Sequence, residues 1–183
     1  MIIGLIILVI VALIAIYVIS TYNSLVGLKN KVGDQWSQID VELKRRFDLI
    51  PNLVNTVKGY AKHESETLEN VIKARNEYLS AGTKEQALDA DKSLTGAISK
   101  LFALAESYPE LKANENFKDL QNQLNSTEDK ISYARKFYND TALLLNNKID
   151  MFPSNIVANI FHFQKVDFFK ADETERENVK VEF

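Results

Sequence analysis

Apolar residues between Tyr22 and Met151 recur at intervals of three and four, which is the spacing of one face of an amphipathic α-helix. No stretch in this part of the chain alternates between apolar and polar residues as a half-buried β-strand would. The breaks between the periodic segments are short, and helices joined by short connections pack as antiparallel neighbours. The pattern therefore predicts an all-α fold: an up-and-down antiparallel four-helix bundle over residues 22–152, with a single transmembrane helix before it.

The first break in the pattern is assigned to the segment before Pro51. We expect the first helix to end near Arg46, because Asp48 can cap a second helix and Pro51 fits its first turn, where an N–H would have no partner. One continuous helix that is kinked at Pro51 is the alternative. The remaining breaks are expected at residues 80–85, Pro109 and Pro153.

The N-terminal segment is apolar without interruption. It starts at Ile2 and ends at Ile19, and these 18 residues would form a helix about 27 Å long, close to the ~30 Å hydrocarbon core of a bilayer. A cleaved signal peptide is the alternative, but no basic residues precede the apolar run. We therefore predict a transmembrane anchor over residues 1–21 and a single-pass protein of the cell membrane.

The charges next to the anchor bear on its orientation. Lys29 and Lys31 follow the apolar run, and Lys and Arg are enriched on the cytoplasmic side of membrane proteins. This favours a cytoplasmic soluble domain, with a periplasmic one as the alternative in a cell that has two membranes.

The last segment, residues 153–183, differs from the rest in its aromatic content. We expect one short amphipathic helix followed by an extended tail. In an up-and-down bundle this segment begins near the bilayer, where its apolar side chains could cover the bundle end, contact another protomer or contact lipid. The residues in question are Phe152, Ile156, Ile160, Phe161, Phe163, Phe168 and Phe169.

Composition narrows the range of functions. The chain has no Cys, which excludes thiolate catalysis and disulfides. Its net charge of −3 and the lack of any basic block beyond residues 44–46 argue against nucleic-acid binding. No phosphate-binding glycine loop, G-x-S-x-G elbow or H-E-x-x-H zinc motif is present. We therefore predict no catalytic residues, no metal and no cofactor.

Several charged residues occupy positions where the helical pattern calls for apolar ones. Glu64, for example, lies seven residues after Val57 and seven before Val71. The five charged residues at such positions are Arg46, Glu64, Arg75, Glu128 and Arg135. Because an unpaired buried charge is costly, we expect an internal ion-pair network, with solvated boundary positions as the alternative. Trp36 lies on an apolar stripe and is interpreted as a core residue, or alternatively as an anchor for a partner.

A carboxylate metal site built on Glu64 and Glu128 is the remaining chemical alternative. Di-iron helical bundles use two Glu-x-x-His motifs plus two further Glu residues. This chain contains only His63 and His162, and neither follows a Glu by three residues. Adjacent residues on a helix point in different directions, so His63 and Glu64 do not form a catalytic pair.

The chain resembles the LemA family of bacterial membrane proteins. The resemblance rests on the segments YNSLVGLKNKV, WSQIDVELKRRFDLIPNLVNTVKGYAKHE, TLENVIKAR, LQNQLNSTEDKISYARKFYND, MFPSNIVA and VKVEF. It covers nearly the whole chain apart from the third helix, and one departure is Phe47 before Asp48, where the family often has a smaller residue. The resemblance implies an N-terminal anchor, an α-helical bundle and no assigned activity.

These observations predict a membrane-anchored helical bundle with a structural, scaffolding or interaction role. Its expected partners are the lipid bilayer, further copies of itself as a homo-oligomer, and a membrane protein. The alternatives are an adaptor for a membrane protease or transporter and, less favoured, an enzyme that uses Glu64 and Glu128.

Overall fold

The computed structural model describes residues 1–169, and all the regular secondary structure in that range is helical. The helices there are α1 (Ile2–Lys58), α2 (Ser65–Leu79), α3 (Lys84–Ala105), α4 (Pro109–Ala113), α5 (Glu115–Asp150) and α6 (Ser154–Ile160). The predicted all-α class is confirmed for this part of the chain. The final part of the predicted extended tail, residues 170–183, lies outside it.

Helix α1 is continuous over 57 residues and contains Pro51, so the predicted end near Arg46 is wrong and the alternative of one helix is correct. Proline has no N–H to donate to the carbonyl four residues earlier, which here belongs to Phe47. The Nε–H of Arg75 on α2 donates to that carbonyl at 3.3 Å. Since Phe47, Ile50 and Leu53 are also buried, packing and a replacement hydrogen bond stabilise the helix across the proline.

The first break between helices lies at residues 59–64, later than predicted. The second break falls within residues 80–85, as the sequence predicts. Thr83 caps α3 by accepting a hydrogen bond from the N–H of Gln86 at 3.2 Å. The side-chain carbonyl of Gln86 in turn accepts from the N–H of Gly82 at 2.8 Å. These two bonds satisfy one N–H group in the first turn of the helix and one just before its N-cap.

The described chain forms two compact units. Unit 1 comprises Met1–Gln38 and Tyr133–Phe183, described as far as residue 169, and unit 2 comprises Ile39–Ser132. Helices α1 and α5 each contribute residues to both. The core of unit 2 includes the fully buried residues Ile39, Leu43, Phe47, Val57, Val71, Leu94, Leu101, Leu111 and Ile131. The core of unit 1 includes Leu25, Ala142, Leu145, Val157 and Ala158.

The N-terminal part of α1 has the length and composition of a membrane span. Within residues 1–169, α1 is the one helix that is both long and apolar enough to cross a bilayer. Its most apolar stretch is not buried against the rest of the protein. The helix then continues into unit 2 without a break. The predicted boundaries at residues 21 and 152 stay predictions.

Candidate functional site

A cluster of three charged side chains, two of them buried, lies in unit 2. Arg46 on α1 places Nη1 2.7 Å from Oδ1 of Asp91 on α3 and 2.7 Å from Oε2 of Glu128 on α5. The side chains of Arg46 and Asp91 are only 4% and 2% exposed, whereas that of Glu128 is 44% exposed. One guanidinium therefore connects three helices, and its charge is balanced by a buried carboxylate and a partly hydrated one.

Asp91 was not among the residues singled out from the sequence, although the signal was present. On α3 it falls in the series Ala87, Asp91, Leu94, Ile98 and Leu101, spaced alternately by four and three, and all five are buried. The same rule that drew attention to Glu64 would have identified it. A charged residue in a buried apolar series is stable only with a partner, and here Arg46 is that partner.

Contacts can also be assigned to the other charged residues of the expected network. Glu64 accepts a hydrogen bond from the hydroxyl of Tyr108 at 3.2 Å, and Arg75 binds the Phe47 carbonyl as described above. Arg135, in unit 1, lies with its guanidinium carbon 5.8 Å from the centre of the Phe169 ring. The structure thus joins Arg46 to Glu128, whereas Glu64 and Arg75 contact Tyr108 and the Phe47 carbonyl.

Two tyrosines of unit 2 are held in their neutral forms by their surroundings. Burial raises the pKa of Tyr78, and Asp40, which accepts its hydroxyl hydrogen bond at 3.2 Å, raises that pKa further. The ring of Tyr78 stacks on Phe47 with centroids 3.7 Å apart. Desolvation and the hydrogen bond to Glu64 likewise raise the pKa of Tyr108. Both hydroxyls therefore act as donors that link helices or their connections.

In unit 1, two asparagines of α5 hold the extended segment that follows α6. Asn139 donates from Nδ2 to the carbonyl of Phe169 at 2.9 Å and accepts from its N–H at 2.8 Å. Asn146, two turns further along, makes the same pair of bonds with Val166, at 2.8 and 3.0 Å. We call this arrangement the amide clamp. Because each side-chain amide offers a donor and an acceptor, it pairs with an extended backbone much as a neighbouring strand would.

Aromatic rings also hold Phe169 of the same segment. Phe169 stacks on Trp36 with a centroid distance of 5.6 Å and an interplanar angle of 4°. It also packs in a T-shaped arrangement against the ring of Tyr138, with a centroid distance of 4.8 Å. Trp36 is half-buried, and its ring contacts with Tyr138 and Phe169 lie within unit 1. The asparagines of the amide clamp were not predicted from the sequence, where their seven-residue spacing was the available signal.

A second aromatic group lies where α1 leaves its apolar segment. Tyr22 contacts Phe161 at a centroid distance of 4.7 Å and Phe163 at 5.8 Å. Close by on the same helix, Ser24 accepts a hydrogen bond from Nζ of Lys148 at 2.6 Å. The chain around α6 therefore packs against the residues that directly follow the apolar segment.

The seven apolar residues of the C-terminal segment divide into two groups. Phe163 and Phe169 are half-buried and contact aromatic residues of α1. The remaining residues are exposed: Phe152, Ile156, Ile160, Phe161 and Phe168.

Within residues 1–169, no group of three or more His, Asp or Glu side chains is arranged to hold a metal ion.

Known proteins resemble this chain over most of its length. The sequence profile of the LemA family matches residues 35–183. Protein LemA of Metamycoplasma hominis is 29% identical over 168 residues, covering 86% of this chain and 72% of that protein. Magnetosome protein MamQ 2 of Paramagnetospirillum magneticum is 26% identical and magnetosome protein MamQ of Magnetospirillum gryphiswaldense is 24% identical. The matches to both cover 81% of this chain but 64% of the relative, so the chain spans just under two thirds of these magnetosome proteins.

Proposed function

Because the chain belongs to the LemA family, we propose that it is a membrane-anchored helical protein with a structural, scaffolding or interaction role, and that copies of it assemble in the membrane plane. The apolar start of α1 and the similarity to LemA and MamQ proteins fit membrane association. The proposal places the soluble part in the cytoplasm, on the strength of Lys29 and Lys31 after the anchor.

The observation that carries the assembly proposal is an exposed apolar stripe on α5. Tyr133, Phe137 and Leu144 are 65%, 58% and 55% exposed, and their spacing of four and seven places them on one face of the helix. Single exposed apolar residues are common on protein surfaces, whereas an aligned row of large ones marks an interaction site. A second copy, held at the same height by its own anchor, presents the same stripe.

The contacts of the charged residues support a structural rather than a catalytic role. Glu64 and Glu128, the carboxylates of the enzyme alternative, bind different partners, Tyr108 and Arg46. The up-and-down four-helix arrangement is also part of the proposal. It is supported by unit 2, where Arg46 links α1 to α3 and α5, and where Arg75 links α2 to α1.

The test is the number of protomers in the full-length protein in lipid nanodiscs, measured by native mass spectrometry. We expect more than one copy for the wild type, and fewer copies after Tyr133→Ser, Phe137→Ser and Leu144→Ser are combined. The matched control is Ile72→Ser with Leu79→Ser, which removes exposed apolar residues from α2 in unit 2. A wild-type protein that is only monomeric would overturn the assembly proposal.

A further inference from the structure

Helix α6 has two apolar faces, and only one of them is covered. Val157 and Ala158 are buried in unit 1 together with Ser154. On the other side, Ile156 and Ile160 lie four residues apart and are 51% and 61% exposed, and Phe152, two residues before the helix begins, is 80% exposed. A helix that is apolar on both sides needs a second apolar environment besides the core it packs on.

The position of α6 along α1 indicates what that environment is. Phe161, at the end of α6, contacts Tyr22, which lies three residues after the last apolar residue of the anchor, Ile19. The connection from α5 is tied to the same level, because Lys148 binds Ser24, five residues after Ile19. At ~1.5 Å per residue, these contacts lie about 4.5–7.5 Å beyond the end of the anchor.

That distance matches the polar boundary of a bilayer. A membrane is about 40–45 Å thick with its headgroups and ~30 Å without them, so each headgroup layer is roughly 5–8 Å deep. Tyr and Trp residues are enriched at this depth, since their rings are apolar and their edges are polar. Tyr22 and Phe161 therefore stand where the anchor passes through the headgroup layer.

We propose that α6 lies in the membrane interface and binds lipid through Phe152, Ile156, Ile160 and Phe161. This inference rests on the proposed membrane anchor and adds a second lipid contact to it. The lipid surface is favoured over a second copy as the occupant of this face, because the face is continuous with the anchor through the Tyr22–Phe161 contact. The core contacts of Val157 and Ala158 then fix unit 1 to the bilayer at two points, the anchor and α6.

Site-directed spin labelling tests the proposal, and a chain without Cys is well suited to it. Single cysteines are introduced in the full-length protein as Ile156→Cys and Ile160→Cys, both at exposed positions. Leu8→Cys reports on the anchor. Lys136→Cys, at an exposed position on α5 about 21 Å along the helix from its end at Asp150, is the aqueous control. Each labelled protein is placed in vesicles of phosphatidylcholine and phosphatidylglycerol, and its accessibility to oxygen and to a water-soluble nickel chelate is measured.

We expect the labels at 156 and 160 to be several-fold less accessible to the nickel chelate than the label at 136, and more accessible to it than the label at 8. If 156 and 160 behave like 136 while 8 is protected, the α6 inference is overturned and the anchor stands. If the label at 8 is also open to the chelate, the anchor and the α6 inference both fail. Spin–spin broadening at 156 that disappears on dilution with unlabelled protein would show that a second copy occupies this face, which also overturns the inference.

Discussion

The two units differ in the kind of polar group that they bury. Among the described residues, unit 2 buries the ions Arg46 and Asp91 together with Thr127, whereas the buried polar residues of unit 1 are the neutral Thr21, Thr141, Asn146 and Ser154. Unit 2 joins its helices with charges, and unit 1 holds an extended segment with the amide clamp. Unit 1 also contains the apolar start of α1.

The difference shows two ways of specifying a helical structure. A buried ion pair fixes which helix faces meet, because any other pairing leaves a charge without a counter-charge, but it is costly to disturb. An amide clamp binds the backbone, so it can position a segment whatever the side chains of that segment are. Its removal lowers the free energy of unfolding by less than the loss of one partner of a buried ion pair does.

The largest expected effect comes from removing Arg46, the buried cation of unit 2. Arg46→Met keeps most of the apolar stem but leaves Asp91 and Glu128 without the guanidinium between them. We expect a loss of about 3–5 kcal/mol in the free energy of unfolding. Urea unfolding of the full-length protein in detergent micelles, followed by circular dichroism, measures it.

The control for this change is Arg45→Met, at the exposed neighbouring position, which should shift stability by less than about 0.5 kcal/mol. The double variant Arg46→Met with Asp91→Leu should recover much of the loss, since an apolar pair replaces the buried ion pair. Equal losses for the variants at 45 and 46 would contradict a buried structural charge.

A smaller effect is expected from the amide clamp in unit 1. Combining Asn139→Ala and Asn146→Ala removes four hydrogen bonds to Val166 and Phe169. We expect the segment to detach at a cost of about 2–3 kcal/mol, since each bond contributes ~0.5–1.5 kcal/mol and we take the low end of that range. Phe169 would then leave Trp36, the only Trp of the chain. A red shift of tryptophan emission and faster hydrogen exchange at residues 166 and 169 would show it.

Asn147→Ala, at an exposed position next to the clamp, is the matched control and should change neither signal. If the emission of Trp36 is unchanged in the double variant, the aromatic stacking holds the segment without the asparagines, and the amide clamp is not what positions it.

The smallest expected effect is a pH dependence above neutrality. The pKa of Tyr78 is raised in the folded protein, whereas an unfolded tyrosine titrates near ~10. Its contribution to stability is therefore complete below about pH 10 and is lost as the pH rises from there towards the folded pKa, because the unfolded chain releases its proton first.

Tyr78→Phe should weaken this decline and cost only ~0.5–1 kcal/mol at pH 8 through the lost hydrogen bond to Asp40. Tyr138→Phe provides the comparison in unit 1, where burial and then the charge of Asp167 raise the tyrosine pKa. We expect the larger effect at Tyr78, which has a direct carboxylate partner. Urea unfolding at pH 8, 10 and 11 tests this, and an identical pH profile for wild type and Tyr78→Phe would contradict it.

Local patterns determined much of the fold. The apolar spacing identified the helical class, and the proline and turn residues located the breaks near residues 80–85, 109 and 153. The helix boundary near Arg46 was wrong because the cost of a proline inside a helix depends on what replaces the lost hydrogen bond. The replacement hydrogen bond comes from Arg75, which lies 28 positions after its acceptor Phe47 in the chain. Local spacing of residues does not reveal such a contact.

The sequence by itself determined that residues 2–19 have the length and composition of a membrane-spanning helix and that amphipathic helices follow them, because such properties depend on residues within a few turns of one another. Only the tertiary structure decided which charges meet and what holds the C-terminal segment. Arg46 and Asp91 are 45 positions apart, and Ser24 and Lys148 are 124 apart. Whether a buried polar group is paired depends on which side chains the packed helices bring within hydrogen-bond distance, and that is a property of the packed chain as a whole.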